Sequence, residues 1–188
     1  MTMLEQWTLW CWLAYLISWA ATWSYVKPAK WKQPPSDRMA YGLLLWIAIV
    51  LTIGSFNHRR LPWPFFSHPG GVVWLGFLTT LGGLLLAIWA RVTLGRNWSS
   101  GMDIKEGHEL ITHGPYTFIR NPIYTALLLM LFGSALVTGS IFALVGCLCA
   151  FWSFWIRIRA EEDLMTKLFP NTYPAYAKRV KRLIPFVF

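Results

Sequence analysis

The chain has 188 residues, of which 56% are hydrophobic and only 13% are charged, and its mean hydropathy is +0.44. This composition excludes an ordinary soluble enzyme and is typical of a protein with several membrane spans. A formal net charge of +9 would suit nucleic-acid binding. The positive residues instead flank apolar segments, and no nucleic-acid recognition motif accompanies them, so nucleic acid is not an expected partner. We expect one membrane domain over residues 1–188.

Five apolar segments have the length, about 17 to 25 residues, that a helix needs to cross a bilayer. Several of the 13 Trp lie near the ends of these segments, where amphipathic rings favour the membrane interface. The last two segments meet at the junction Thr138-Gly139-Ser140, which is too short for a loop domain and predicts a tight helical hairpin. We therefore predict an all-α polytopic membrane protein with about five transmembrane helices, at residues 7–26, 40–56, 71–94, 123–139 and 141–158.

The distribution of positive charge predicts the orientation of the chain. Of the 17 Lys and Arg, only Arg59 and Arg60 fall on one face of the predicted membrane domain. The positive-inside rule then places the C-terminus in the cytosol, and an odd number of spans places the N-terminus outside. The connection 95–122 and the tail 157–188 carry most of the acidic residues. We expect these two cytosolic segments, the second a helical tail, to hold the active site.

The combination Arg120-Asn121-Pro122 stands directly before the fourth predicted helix. Proline biases the residue before it away from helical conformation, so a helix can begin at Pro122 with free N–H groups in its first turn. Such a helix N-terminus attracts anions. The alternative is that Asn121 only caps the helix and that Arg120 reaches lipid headgroups.

A run of charges from residue 157 to residue 163 continues the last predicted span out of the bilayer. On one helix Arg157 and Glu161 are i, i+4 neighbours, as are Arg159 and Asp163. The functional interpretation is that one carboxylate faces a pocket and that an Arg keeps it ionised. The alternative is a solvated, salt-bridged helical extension.

Tyr173 and Tyr176 lie three residues apart in the tail, so they can share one face of a helix. A helix lying on the membrane surface would use aromatic and basic residues in the same way, and both interpretations stay open. Cys11, Cys147 and Cys149 lie inside apolar segments, in neither disulfide nor zinc spacing, and are interpreted as inert thiols. No metal site is expected.

The polar motifs follow one another in a distinctive order. A His-x-Leu and a Gly-x-Tyr precede an Arg-x-Pro-x-Tyr, and a helical hairpin, an Arg with a Glu-Glu pair and a tail ending in Pro-Phe follow. The residues concerned are His108, Leu110, Gly114, Tyr116, Arg120, Pro122, Tyr124, Arg157, Glu161, Glu162, Phe169, Tyr173, Tyr176, Pro185 and Phe186. Over about the C-terminal half of the chain, from Leu94 onward, this pattern resembles the isoprenylcysteine carboxyl methyltransferase family of integral membrane proteins.

The resemblance implies a methyltransferase that uses S-adenosylmethionine, without a metal, and acts on a hydrophobic or lipid-linked acceptor in the bilayer. A G-x-G-x-x-G fingerprint is absent from the sequence, so the cofactor pocket would be built from the cytosolic segments. The resemblance implies catalytic roles for Arg120, Arg157 and Glu161, in which Arg120 or Arg157 binds or orients an acidic acceptor and Glu161 helps to fix that arginine. It implies a cofactor site made of His108, Leu110, Gly114, Tyr116, Asn121, Pro122, Tyr124 and Glu162.

The sequence departs from the family pattern at Asn121, where the family has His. Related bacterial membrane methyltransferases look similar and have Arg-Asn-Pro at this place. An Asn amide can donate or accept a hydrogen bond, but it cannot do the acid–base work of a ring nitrogen. Two other functions remain open. Membrane sterol reductases that use NADPH look similar in their C-terminal cofactor region, and a non-catalytic membrane scaffold would need its charges only for topology.

Overall fold

The computed structural model describes residues 1–31, 39–57, 69–98, 104–105, 107 and 109–184. His108, one of the predicted cofactor ligands, lies outside the described residues. The described chain is helical apart from a short antiparallel pairing between β1 (Ala29–Trp31) and β2 (Ile104–Lys105). Its helices are α1 (Met3–Ala21), α2 (Met39–Ser55), α3 (Gly70–Leu94), α4 (Pro122–Thr138), α5 (Ile141–Leu168) and α6 (Tyr173–Arg179).

Helices α2 to α5 begin within one residue of the predicted spans, whereas α1 is displaced toward the N-terminus. A capping box explains its early start: the Thr2 hydroxyl accepts from the Glu5 N–H at 3.3 Å, and the Glu5 carboxylate accepts from the Thr2 N–H at 2.7 Å. The predicted end at residue 26 is wrong, because α1 ends at Ala21 and a 3₁₀ turn follows at Trp23–Tyr25. Apolar character alone does not extend a helix toward Pro28, which disfavours helical conformation before it.

Helices α3 and α5 belong to segments that are long and apolar enough to cross a membrane, Gly70–Asn97 and Ile141–Leu168. Only 28% and 33% of their apolar windows are buried inside the protein, which distinguishes them from the core helices of a soluble protein. Their outer faces expose large side chains such as Leu78, Leu85, Trp89, Leu148 and Trp152. Such a surface requires an apolar solvent, so this is an integral membrane protein.

The closest helix packing joins α3 to α4. A Cβ atom added at Gly83 of α3 would lie 2.7 Å from the carbonyl oxygen of Ala126, and one added at Gly76 would lie 2.7 Å from that of Gly133. These glycines let the two backbones touch, as small residues do in membrane helix pairs. Helix α1 contacts α4 as well, since the Trp12 indole donates to the Ser134 hydroxyl at 2.9 Å.

The predicted hairpin between α4 and α5 is present. Gly139 ends α4 in a left-handed conformation, with φ of 63°, and the Ser140 hydroxyl caps α5 through the Ala143 N–H. Helix α5 then packs along α2 and continues about ten residues beyond its predicted apolar end, to Leu168. The hairpin therefore carries the charged end of α5 back to the start of α4.

The chain after α6 returns to the same place. The Arg120 N–H donates to the Lys181 carbonyl oxygen at 2.8 Å, and the Thr125 hydroxyl donates to the Leu183 carbonyl oxygen at 2.7 Å. Leu183 is almost fully buried in the core with residues of α2, α4 and α5. The start of α4, the end of α5, α6 and this returning segment thus meet at one end of the helix bundle.

Candidate functional site

A cavity of about 420 Å³ lies at this end of the bundle. Its volume falls in the range of about 300 to 1,000 Å³ that is usual for small-molecule sites. Helices α1 to α6 all contribute to its wall. The sequence-predicted site residues that line it are Leu110, Tyr116, Arg120, Asn121, Pro122, Tyr124, Arg157, Glu161 and Glu162.

Gly114, predicted to bind the cofactor, is not among the lining residues. It has a φ of +60°, and a Cβ atom there would lie 2.9 Å from the Thr93 hydroxyl. A glycine is therefore needed for the turn at Gly114–Thr117 to lie against α3. The structure assigns Gly114 a packing role, and the sequence pattern did not distinguish that role from ligand contact.

Glu162 binds two arginines, one with each carboxylate oxygen. Its Oε1 accepts from Nε of Arg120 at 2.9 Å and from Nη2 at 2.7 Å, and its Oε2 accepts from Nε of Arg182 at 2.7 Å. Nη1 of Arg120 donates to the carbonyl oxygens of Ala177 and Val180. The side chains of Arg120 and Glu162 are only 9% and 12% exposed. This group, hereafter the Glu162 cluster, joins α4, α5, α6 and the returning segment.

Asn121 takes part in the same junction. Its backbone N–H donates to the Arg182 carbonyl oxygen at 3.1 Å, and its side-chain amide donates to the same oxygen at 3.2 Å. Asn121 occupies the N-cap position of α4, but its side chain makes no cap hydrogen bond with the first turn, which begins at Pro122. The first turn of α4 therefore faces the cavity without a side-chain cap.

Glu161 forms a second, separate cluster with Arg157 and Tyr124. Its Oε1 accepts from Nε of Arg157 at 2.8 Å and from the Tyr124 hydroxyl at 2.7 Å. The Arg157 guanidinium also lies 5.6 Å from the ring centre of Tyr124 and 5.7 Å from that of Tyr41. The i, i+4 spacing thus pairs Arg157 with Glu161 as predicted, and aromatic rings hold the arginine on the other sides.

Three tyrosines close the cavity beside the Glu162 cluster. The Tyr176 hydroxyl donates to the Tyr116 carbonyl oxygen at 2.6 Å, so α6 is held against the turn before α4. Burial raises the pKa of Tyr176 to about 12, although the Arg120 charge lowers it somewhat. Burial also raises the pKa of Tyr116 and Tyr173 above the ordinary tyrosine value. These hydroxyls remain neutral at physiological pH, and the buried face of α6, with Tyr173 and Tyr176, is part of the site.

Part of the cavity wall is aromatic, and the sequence did not lead us to predict it. This part is formed by Tyr15 and Trp19 of α1, Trp23 of the following turn and Trp98 after α3. The position of Trp23 near the end of the first predicted span suggested membrane anchoring. A signal was present nonetheless: Trp23 lies at the end of the first predicted span and Trp98 follows the third, which predicts that both lie on the same face of the membrane domain.

The cavity thus combines an aromatic part of its wall, hereafter its aromatic end, with a polar part that holds the two arginine–carboxylate clusters, hereafter its polar end. Aromatic faces and carboxylates suit a ligand that carries positive charge, whereas an arginine and an uncapped helix start suit a carboxylate or phosphate. Among the described residues, no three His, Cys, Asp or Glu side chains are grouped as metal ligands.

Comparison with known proteins identifies the family. The model of the phospholipid methyltransferase family matches residues 72–172, from α3 to the start of the tail. Over 119 residues the chain is 29% identical to a probable protein-S-isoprenylcysteine O-methyltransferase of Oryza sativa subsp. indica, covering 62% of each chain. It is 30% identical over 115 residues to protein-S-isoprenylcysteine O-methyltransferase B of Arabidopsis thaliana, covering 60% of this chain and 58% of that one.

A relative from Xenopus laevis, a protein-S-isoprenylcysteine O-methyltransferase, is 30% identical over 122 residues, which is 62% of this chain and 42% of that protein. The matched part therefore spans less than two thirds of the length of these relatives. The resemblance to isoprenylcysteine methyltransferases predicted from the ordered motifs is confirmed. The family match covers more than half of the chain and includes Arg120, Tyr124, Arg157, Glu161 and Glu162, so the chain belongs to the phospholipid methyltransferase family.

Proposed function

We propose that the protein is an integral membrane methyltransferase that moves a methyl group from S-adenosylmethionine to a hydrophobic or lipid-linked acceptor. The observation that carries the proposal is the cavity of about 420 Å³, polar at one end and aromatic at the other, in a chain of this family. A methyl donor with charged groups suits the polar end. An acceptor with a long apolar chain suits the aromatic end.

The residues of the polar end fit the donor. The carboxylate of S-adenosylmethionine suits the uncapped start of α4 at Pro122. The positive charge on its sulfur suits the tyrosine faces and the carboxylate of Glu161. When bound, S-adenosylmethionine supplies an electrophilic methyl group, which a nucleophilic oxygen, nitrogen or sulfur of the acceptor takes as the carbon–sulfur bond breaks. We assign donor binding to Leu110, Tyr116, Asn121, Pro122 and Tyr124, with His108 as predicted from the sequence.

We propose that Arg157 orients the acidic acceptor and that Arg120 holds the Glu162 cluster together. Each nitrogen of the Arg120 guanidinium already donates to Glu162 or to a backbone carbonyl oxygen. Arg157 lines the cavity between two aromatic rings, with Glu161 and Tyr124 holding it in one orientation. What the protein itself contributes is positioning of the two reactants and exclusion of water.

The acceptor we propose is an amphiphile with its reactive group at the polar end of the cavity. The relatives are named for isoprenylcysteine and the family for phospholipid, and each of these carries a polar group on a long apolar chain. Leu45, Leu127 and Phe154 line the cavity in addition to its aromatic end, and they suit such a chain.

We also propose that all five helices α1 to α5 cross the membrane, within one domain, with the N-terminus outside and the cavity and C-terminus in the cytosol. The C-terminal ends of α1, α3 and α5 and the start of α4 all border the cavity, as an alternating path through the bilayer requires. Reporter fusions in the connections after α2 and α3 test this. A cytosolic signal from the connection after α2 would refute it.

The decisive experiment incubates the purified protein with labelled S-adenosylmethionine, total membrane lipid and cytosolic extract, and identifies the molecule that takes the label. We expect a lipid or a lipidated product, and we expect Arg157→Met to lose turnover. The matched control is Arg179→Met in the exposed tail, which should keep it. A parallel binding titration with S-adenosylmethionine and NADPH separates this proposal from a reductase. Binding of NADPH alone, or of neither, would overturn it.

A further inference from the structure

Arg91 is a buried arginine outside the cavity. It lies near the end of α3 and is only 3% exposed. Its Nη1 donates to the carbonyl oxygen of Gly95 and its Nη2 to that of Thr22, both at 2.8 Å. These oxygens stand at the C-terminal ends of α3 and α1, where the helix dipoles concentrate negative charge. The guanidinium therefore ties the ends of two helices together.

The same guanidinium lies 4.5 Å from the ring centre of Trp98. Trp98 in turn makes edge contacts with Trp19, at 6.2 Å between ring centres, and with Trp23, at 5.7 Å. All three rings line the cavity, and we call them the aromatic wall. Arg91 itself does not line the cavity, so it stands behind this wall.

Membrane anchoring does not account for Arg91. Long basic side chains near a membrane interface normally extend toward water, but this one is turned inward. Its Nε is buried without a hydrogen-bond partner among the described residues, a cost that a purely structural contact would be expected to avoid. The planar guanidinium is the one side chain that can bind two carbonyl groups and stack on an indole at the same time.

We propose that Arg91 is a positioning residue that fixes the aromatic wall and thereby sets the affinity of the cavity for the apolar chain of the acceptor. The inference rests on the proposed methyltransferase function and deepens it. Arg91 acts through Trp98 and touches neither reactant. It therefore affects binding of the acceptor, while the chemical step and binding of the donor at the polar end are unchanged.

The kinetic test compares Arg91→Met with the matched control Arg96→Met, whose exposed side chain lies five residues further along. With N-acetyl-S-farnesylcysteine or phosphatidylethanolamine as acceptor, whichever is methylated, we expect Arg91→Met to raise the acceptor KM about threefold to tenfold. The kcat and the KM for S-adenosylmethionine should stay within about twofold, as should all constants of Arg96→Met. A fall in kcat with an unchanged acceptor KM would overturn the proposal.

A double-mutant cycle with Trp98 tests the same proposal without relying on one variant that could simply misfold. Trp98→Leu should raise the acceptor KM as Arg91→Met does, and the double variant should be no worse than the more affected single one, because both act through one wall. Effects that multiply would mean that Arg91 acts elsewhere.

A spectroscopic measurement separates failure of this proposal from failure of the methyltransferase assignment. The protein is labelled with 5-fluorotryptophan, and the Trp98 fluorine resonance is identified by its loss in Trp98→Phe. We expect Arg91→Met and Arg91→Lys to shift or broaden this resonance and Arg96→Met to leave it unchanged. An unchanged Trp98 resonance in both Arg91 variants refutes the proposal that Arg91 fixes the aromatic wall, whether or not the wild type transfers methyl groups.

Discussion

Glu162 has two possible roles, and they predict opposite results for Glu162→Gln in the absence of any ligand. As a cofactor ligand, the role predicted from the sequence, its charge would matter only when the donor is bound. As the centre of the Glu162 cluster, it compensates two arginines in the free protein. Because the structure commits both carboxylate oxygens to arginine, we expect Glu162→Gln to destabilise the protein before any ligand is added.

The expected loss of unfolding free energy in Glu162→Gln depends on how little of each side chain in the cluster is exposed. Removing one partner of a buried ion pair costs about 3–5 kcal/mol, and Arg120 and Glu162 are 9% and 12% exposed. Gln keeps an acceptor oxygen, and Arg120 keeps its hydrogen bonds to the carbonyl oxygens of Ala177 and Val180, so the cost is lowered. The Arg182 side chain is 34% exposed and contributes as a surface pair does, ~0–1 kcal/mol. We expect a loss of about 2–3 kcal/mol.

The assay is equilibrium unfolding of the purified protein in detergent, with and without S-adenosylmethionine. Asp163→Asn is the matched control, since Asp163 is the next carboxylate on α5 and is exposed. It should stay within about 0.5 kcal/mol of the wild type. The reasoning is refuted if Glu162→Gln is equally stable without ligand and loses only its affinity for the donor. In that event Glu162 is a cofactor ligand.

Three further predictions concern other parts of the molecule. Tyr124→Phe, which removes a hydrogen bond of 2.7 Å to a carboxylate but no cavity wall, should fold normally and lower turnover about tenfold in a methyl-transfer assay. Gly133→Ala should cost about 1–3 kcal/mol in unfolding experiments because its Cβ would clash with the α3 backbone, whereas Gly82→Ala, with nothing within 4 Å, should cost nothing. The pKa of Tyr176 is higher in the folded protein than in the unfolded chain, so folding is stabilised by its protonated form. This stabilisation should be complete below pH ~10 and be lost as the pH rises toward about 12. A Tyr176→Phe variant should lack this step in a curve of unfolding free energy against pH.

The positions of α2 to α5 could be predicted because runs of apolar residues are visible in the sequence residue by residue. The start of α1 was missed although Thr2 and Glu5 have the spacing of a capping box, and its end involves a hydrogen bond from the distant Arg91 to Thr22, which no local pattern reveals. The same limit applies to the site. The i, i+4 pair of Arg157 and Glu161 is a local feature, and its hydrogen bond is present.

The partner of Glu162 is not a local feature, which is why the sequence led to a different role for it. Glu161 and Glu162 are neighbours on α5, and consecutive residues of an α-helix project about 100° apart. One carboxylate therefore meets Arg157 and Tyr124, while the other meets Arg120 and the returning tail. A sequence motif with two adjacent glutamates cannot specify this division, since it depends on where residues 180–183 return.

This division has a consequence for how the site is assembled. The Glu162 cluster requires Arg182, and Asn121 binds the backbone of that same residue, so the polar end of the cavity is complete only when the returning segment is in place. The hydrogen bonds of Glu161 to Arg157 and Tyr124 join α5 to α4, which the tight hairpin already holds together. Of two adjacent carboxylates that both line the cavity, one thus binds the returning segment and the other binds Arg157 and Tyr124. Adjacent residues on one rigid helix can have different partners because the helix fixes the angle between them.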